Sequence, residues 1–324
     1  MKRKYAIFLL LIGLFTIPIQ SREVYLGGES IGIQLQYEGV LISATYQVDT
    51  KDFSYNPSES DIQSGDTLKE IDGRKIDTLE QLNEILLEKK NQTVVCTLKR
   101  KDEIIYRHLK VIEDNGKIKT GLFVKDEIMG IGTLTYIDPT NSTYGSLGHE
   151  IIDQDTKQTI RFDQGLLYTS SVKDIQKAQI SRVGEKQALI HFDDSIGNIL
   201  KISRFGVFGN SYERLSDRLI ETASQDEIAS GKATMYTVLN GEKVEAIEVE
   251  ITKKYKQSEA DIKSFEFQIT DLQALEKTGG IIQGMSGSPI VQNGKLIGAV
   301  THVSAQNPSS GFGIYIEWML KESD

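Results

Sequence analysis

The chain has 324 residues, 39% of them hydrophobic and 26% charged, with a formal net charge of −9. That length exceeds one compact domain of ordinary size and suits two or three, and the composition supports ordinary globular cores with a wetted surface. The acidic balance argues against nucleic acid as the main partner, because neutralising phosphate needs an excess of Lys and Arg, and the single cysteine excludes an internal disulfide.

Lys2-Arg3-Lys4 precedes an apolar run from Tyr5 to Ile19. A basic start followed by a short apolar stretch is the pattern of a secretory signal. At a helical rise of about 1.5 Å per residue the run spans about 22 Å, short of a roughly 30 Å hydrocarbon core. No Ala-x-Ala cleavage site follows it, so residues 1–20 are expected to act in export either as a signal peptide or as a retained membrane anchor.

Residues 24–112 are expected to form one module. Val24 to Ala44 is strand-like, broken by Gly27-Gly28 and Gly32, and a polar loop runs from Asp49 to Ser60. Ser64-Gly65-Asp66 then makes a turn, and Asp72-Gly73 makes another between two short strands. Thr78 precedes Leu79, Leu82, Ile85 and Leu86, which have helical spacing with Thr78 as N-cap. Thr93 to Leu98 and Ile104 to Val111 close as a hairpin, and Cys96, within the first of these strands, is expected to be a small buried apolar side chain. This order resembles a PDZ domain of the bacterial protease type. The resemblance implies that an extended peptide adds to a sheet edge, with Gly28, Ile31, Gly32 and Ile33 of the run Gly27 to Ile33 as the carboxylate-binding loop and the strand after it.

After Asn115-Gly116-Lys117, residues 118–324 read as a second domain. Short apolar strands recur between Gly, Asn and Asp turns: Gly121 to Val124, Gly130 to Ile137, Thr159 to Tyr168, Ala188 to Phe192, Ile199 to Ile202, Lys232 to Leu239, Val244 to Ile251, Phe265 to Ile269 and Leu296 to Val303. Many short strands at regular spacing predict a mainly β fold, and the length suits a pair of small barrels.

The sharpest chemical signal is Gly284-Met285-Ser286-Gly287-Ser288-Pro289. A nucleophilic serine needs a tight turn, a nearby base, and backbone N–H groups aimed at the developing oxyanion. The flanking glycines let the N–H groups of Gly284 and Ser286 converge. This run resembles the nucleophile loop of chymotrypsin-like serine peptidases, and the hairpin expected after it is present as Ile290-Val291, Asn293-Gly294-Lys295 and Leu296 to His302.

The base must be one of four histidines. His149 follows a strand, in the Gly-containing turn Ser146-Leu147-Gly148-His149, 137 residues before Ser286. A two-barrel peptidase carries its base on the first barrel and its nucleophile on the second, which selects His149. His108 and His191 read as strand residues, and His302 falls near the expected substrate-binding strand. The third member should be a carboxylate that holds the imidazole tautomer; spacing leaves Asp271 and the pair Asp193-Asp194 open.

Taken together, residues 24–320 resemble the SpoIVB-type sporulation serine peptidases of endospore-forming bacteria. The match rests on an export segment, a PDZ domain, the turn at Gly148-His149, the run from Gly279 to Ile290, and Gly298 to Val303. The family's acid lies in an Ile-Thr-Asp step before the nucleophile, so the resemblance points to Asp271, in Ile269-Thr270-Asp271. It also implies export into the space between the two forespore membranes, self-cleavage, and cleavage of the extracytoplasmic part of a membrane regulator, which triggers sigma-factor processing. The module starts almost directly after the apolar run, so the usual self-cleavage segment is expected to be short. No cofactor is required, and no His, Cys, Asp or Glu set has metal-ligand spacing. Two other functions fit the same pieces: an extracytoplasmic quality-control protease, and a non-catalytic peptide-binding scaffold.

Overall fold

A computed structural model describes residues 22–324; the expected export segment lies outside them. Among the described residues no helix is long and apolar enough to cross a membrane. The chain is mainly β, and its apolar side chains gather into three principal cores.

The C-terminal core fills a closed barrel of six strands, in the order Gly231–Val238, Val244–Lys254, Phe265–Ile269, Ser310–Tyr315, Lys295–Val303 and Pro289–Gln292. Alternation explains the closure. Along Val244–Lys254, Ile247, Val249 and Ile251 are buried while Glu248 and Glu250 face solvent, the period of two that a half-buried strand needs. The hairpin turn expected at Asn293-Gly294 forms, with both residues at positive φ.

The second core is built on the strand Ser30–Thr45. It pairs antiparallel with Leu122–Ile137 on one side and with Phe162–Gln176 on the other. Ile31, Ile33 and Leu35 point into a core shared with Leu134, Tyr144 and Leu167. The segments expected as Gly121 to Val124 and Gly130 to Ile137 are one strand, because both pair with the same partner; shifts in register between Phe123 and Glu127 absorb the break in pattern.

The third core, from Val40 to Val111, contains the helix Leu79–Glu88, whose Leu82 and Ile85 face inward. Thr78 caps it by accepting a hydrogen bond from the N–H of Gln81. The Asp66 carboxylate, 1% exposed, receives two hydrogen bonds from Arg100 and one from the N–H of Gln63, which ties the Gly65 turn to the hairpin. Cys96 is fully buried there, and burial pushes its thiol up to about 12. The polar stretch Asp49 to Ser60 holds a two-residue ladder and a 3-10 turn rather than a plain loop.

The N-terminal residues differ from the sequence expectation. Val24 and Leu26 pack into the C-terminal barrel's core, and Ile31 to Tyr37 into the second core, so the module with its own core starts inside Ser30–Thr45 rather than at residue 24. Ile31, Gly32 and Ile33 each pair on both sides, with Gly132, Ile131 and Gly130 and with Thr169, Tyr168 and Leu167. A strand paired on both sides has no edge to offer a peptide. Gly28 is buried, and a Cβ there would meet Val244 Cγ1 at 2.7 Å. The open edge lies elsewhere: among the described residues, Leu122 to Ile131 pair on one side only, and the Asp126 carboxylate on this strand accepts from Leu79 N–H at the start of the helix.

Candidate active site

The loop that carries Ser286 opens after the helix Leu272–Thr278, which stops at Gly279 in the left-handed region. Met285 is fully buried and anchors the loop from below. Each backbone carbonyl from Gln283 to Gly287 then has its own donor. Lys186 N–H holds the carbonyl of Gln283 at 3.0 Å, Thr133 Oγ1 holds that of Gly284 at 2.7 Å, and Ser288 N–H holds that of Met285 at 2.9 Å. Thr133 N–H holds that of Ser286 at 3.0 Å, and Thr135 Oγ1 holds that of Gly287 at 2.7 Å. In a trans peptide the N–H points opposite to the C=O. Fixing the carbonyls of Gln283 and Met285 therefore fixes the N–H groups of Gly284 and Ser286, and neither N–H has an acceptor among the described residues.

His149 reaches this loop from the other core. It follows the strand Thr143–Ser146 through Leu147 and Gly148, both at positive φ. A non-glycine residue in that region stores strain of about 1–3 kcal/mol, and such strain gathers where side chains must be aimed. The turn places His149 Nε2 at 2.9 Å from Ser286 Oγ and Nδ1 at 2.7 Å from the carbonyl oxygen of Glu150. A carbonyl only accepts, so Nδ1 carries the hydrogen and Nε2 presents its lone pair to the serine hydroxyl. Burial lowers the His149 pKa below its ordinary value, partly opposed by the hydrogen bond to Glu150 and its charge.

The structure thus joins Ser286, His149 and the N–H groups of Gly284 and Ser286. It does not bring Asp271 to the imidazole. Asp271 Oδ1 accepts from the N–H groups of Gln273 and Ala274 as N-cap of the helix Leu272–Thr278, and the Glu150 carbonyl takes the place at Nδ1. Asp193 is exposed on the strand Glu185–Asn198. As a cap, Asp271 is replaceable by asparagine. Asp271→Asn is therefore expected to keep kcat/KM within about threefold, whereas Asp271→Ala costs about 1 kcal/mol in thermal or urea unfolding. A folded but inactive Asp271→Asn protein would put its carboxylate at the imidazole during turnover.

Of the remaining histidines, His302 packs its ring 5.1 Å from that of His149, and desolvation, then His149 and Lys263, push it down to about 4. His191 bonds Ser171, and His108 stands on the strand Glu103–Asp114 opposite Val95. Ser286 and His149 open into a cleft of about 740 Å³, whose walls include Met129, Ile131, Ile152, Val183, Ile282 and Val303. Thr133, Thr135 and the Glu150 carbonyl escaped the sequence reading. The two threonines had a faint signal, since residues two apart on a strand share a face. A backbone carbonyl has none.

The arrangement can deprotonate a hydroxyl and stabilise an adjacent oxyanion, the parts list of acyl transfer. The sequence model of the SpoIVB peptidase S55 family matches residues 116–320. No curated protein matches the chain. Among solved structures, the Rv3671c protease from M. tuberculosis in its active form is similar at 12% identity and a TM-score of 0.38, covering 60% of this chain and 72% of that one. Its inactive form is similar at 12% identity and a TM-score of 0.36, covering 59% and 81%.

Proposed function

Because the chain belongs to the SpoIVB peptidase S55 family, and is with it a serine peptidase, we propose that it is an exported endopeptidase in which Ser286 is the nucleophile and His149 the base. The observation that carries this reading is the 2.9 Å contact between Ser286 Oγ and His149 Nε2 beside two N–H groups that have no acceptor among the described residues. Ser286 Oγ attacks the carbonyl carbon of the scissile peptide and its proton passes to Nε2. The oxyanion that forms takes up the N–H groups of Gly284 and Ser286. His149 then protonates the departing amine nitrogen, and a water molecule repeats the sequence on the acyl-enzyme to release the acid. The Glu150 carbonyl holds the tautomer that both steps need. The carbonyl brings no full negative charge, so the imidazolium is held by a dipole, with the Glu150 carboxylate adding charge from nearby.

The substrate is an extended protein segment lying in the apolar cleft. Its finer identity follows from the family: the chain itself, and the extracytoplasmic part of a membrane regulator of sigma-factor processing, in the space between the forespore membranes. Any peptide docked on the N-terminal module would add to the open edge of Leu122 to Ile131 beside the helix Leu79–Glu88, which replaces the edge expected at Ile31 to Ile33. Mass spectrometry of the purified chain incubated alone tests self-cleavage. New termini are expected in the wild type and none in Ser286→Ala; the same termini in both would assign the cut to another enzyme.

The base must be neutral, and the His149 pKa lies below the ordinary imidazole value of about 6.5. Neutral His149 therefore persists to lower pH, and kcat/KM is expected to fall only as pH drops through that depressed value. A limb centred above about 6.5 would contradict the buried environment of the ring.

A further inference from the structure

Beneath the nucleophile loop lies a buried lysine that the steps above do not use. Lys186, at the start of the strand Glu185–Asn198, is 5% exposed. Its stem runs against Gly284: a Cβ on that glycine would lie 2.9 Å from Lys186 Cδ. Its Nζ donates to Thr237 Oγ1 at 2.8 Å and to Thr133 Oγ1 at 3.4 Å. Burial alone pushes the amine down to about 7, and among the described residues no carboxylate pairs with it. Keeping such a group inside a protein is costly, and an apolar side chain would fill the same space without that cost.

The bonds beyond it give the lysine a task. The Thr133 hydroxyl has one proton and two lone pairs. It faces three partners: Lys186 Nζ, Ser288 Oγ at 3.4 Å, and the Gly284 carbonyl at 2.7 Å. The ammonium can only donate and the carbonyl can only accept. A protonated Lys186 therefore takes a lone pair of Thr133 and leaves its proton for Gly284, and donation into the hydroxyl oxygen polarises it into a stronger donor. We propose that Lys186 and Thr133 form a positioning pair that holds the Gly284 carbonyl inward and so fixes the Gly284–Met285 peptide, the plane lying between the two peptides whose Gly284 and Ser286 N–H groups face the developing oxyanion. Gly284 has φ +90, a conformation reached through its lack of a side chain, and a residue so free needs an external hold. Neither residue touches the substrate's reacting atoms; both act through the loop, and the pair rests on the reading of Ser286 as nucleophile.

Steady-state kinetics on a peptide that the wild type cuts, with circular dichroism to check folding, tests the pair. Thr133→Val keeps the shape and deletes the hydroxyl; it is expected to lower kcat roughly 10- to 100-fold with KM within about twofold. Thr133→Ser, which restores the hydroxyl, is expected to recover most of that loss. Lys186→Met keeps the stem and deletes the amine, and is expected to act in the same direction. The double variant Thr133→Val/Lys186→Met is expected to be no worse than Thr133→Val, because both substitutions break one chain of bonds. Equal rates for Thr133→Val and Thr133→Ser, losses confined to KM, or losses that multiply would overturn the proposal. If Lys186→Met fails to fold, the comparison of valine with serine at position 133 decides alone. An active Ser286→Ala protein would sink the underlying reading, whereas an inactive Ser286→Ala beside fully active Thr133→Val sinks the positioning pair and nothing else.

Discussion

Replacing Ser286 by alanine is expected to lower kcat by roughly 10⁴- to 10⁶-fold, with the fold intact. The hydroxyl is partly buried, and its short contact is to His149, so alanine removes one oxygen and leaves the loop's carbonyl partners in place. His149→Ala is expected to fall in the same range, because the attacking oxygen then has no acceptor for its proton. The double variant should be no worse than either single one, since the two side chains act as a unit. Two losses that multiplied would mean that serine and histidine serve separate steps. The N–H groups of Gly284 and Ser286 survive both substitutions, so a small residual rate above uncatalysed hydrolysis is expected.

Gly287→Ala is expected to abolish most activity by a different route. Gly287 has φ +89, and a Cβ there would lie 2.2 Å from the carbonyl oxygen of Thr133 and 2.4 Å from the backbone N of Leu147. Both obstacles are backbone, and both belong to the segments that hold the nucleophile loop and aim His149. Backbone strain adds about 1–3 kcal/mol. The loop can relieve the clash only by moving away from the strand Leu122–Ile137, and a displacement of about 1 Å costs about 10²-fold in rate. A fall of at least about 10²-fold together with a lower Tm is the expected result. Gly294→Ala is the matched comparison. It has φ +79 in the hairpin turn but nothing within 4 Å of its would-be Cβ, so it should lose stability alone and keep its kcat.

Local chemistry was the legible part of this sequence. The glycines around Ser286, the capping Thr78 and the Asn293-Gly294 turn each act through neighbours in the chain, and each appears where pattern placed it. The barrel strands were legible because alternation survives wherever one face is buried. What failed to show was pairing over long separations. Ile31 to Ile33 read as a peptide edge because nothing in that segment announces Phe162–Gln176 as its second neighbour. Asp271 was singled out by the family resemblance alone, and its place as cap of the helix Leu272–Thr278 shows only once that helix is placed. Lys186 gave no signal at all, since its meaning comes from the hydroxyls of Thr133 and Thr237, each more than fifty residues away.

The central claim is that Ser286 is a hydroxyl activated by His149. Reaction of the folded chain with a fluorophosphonate probe, followed by intact-mass measurement and peptide mapping, tests it most directly. One adduct per chain, located on Ser286 and absent from His149→Ala, is the predicted result. A folded wild-type protein that takes up no probe, or that carries it on another residue, would contradict it.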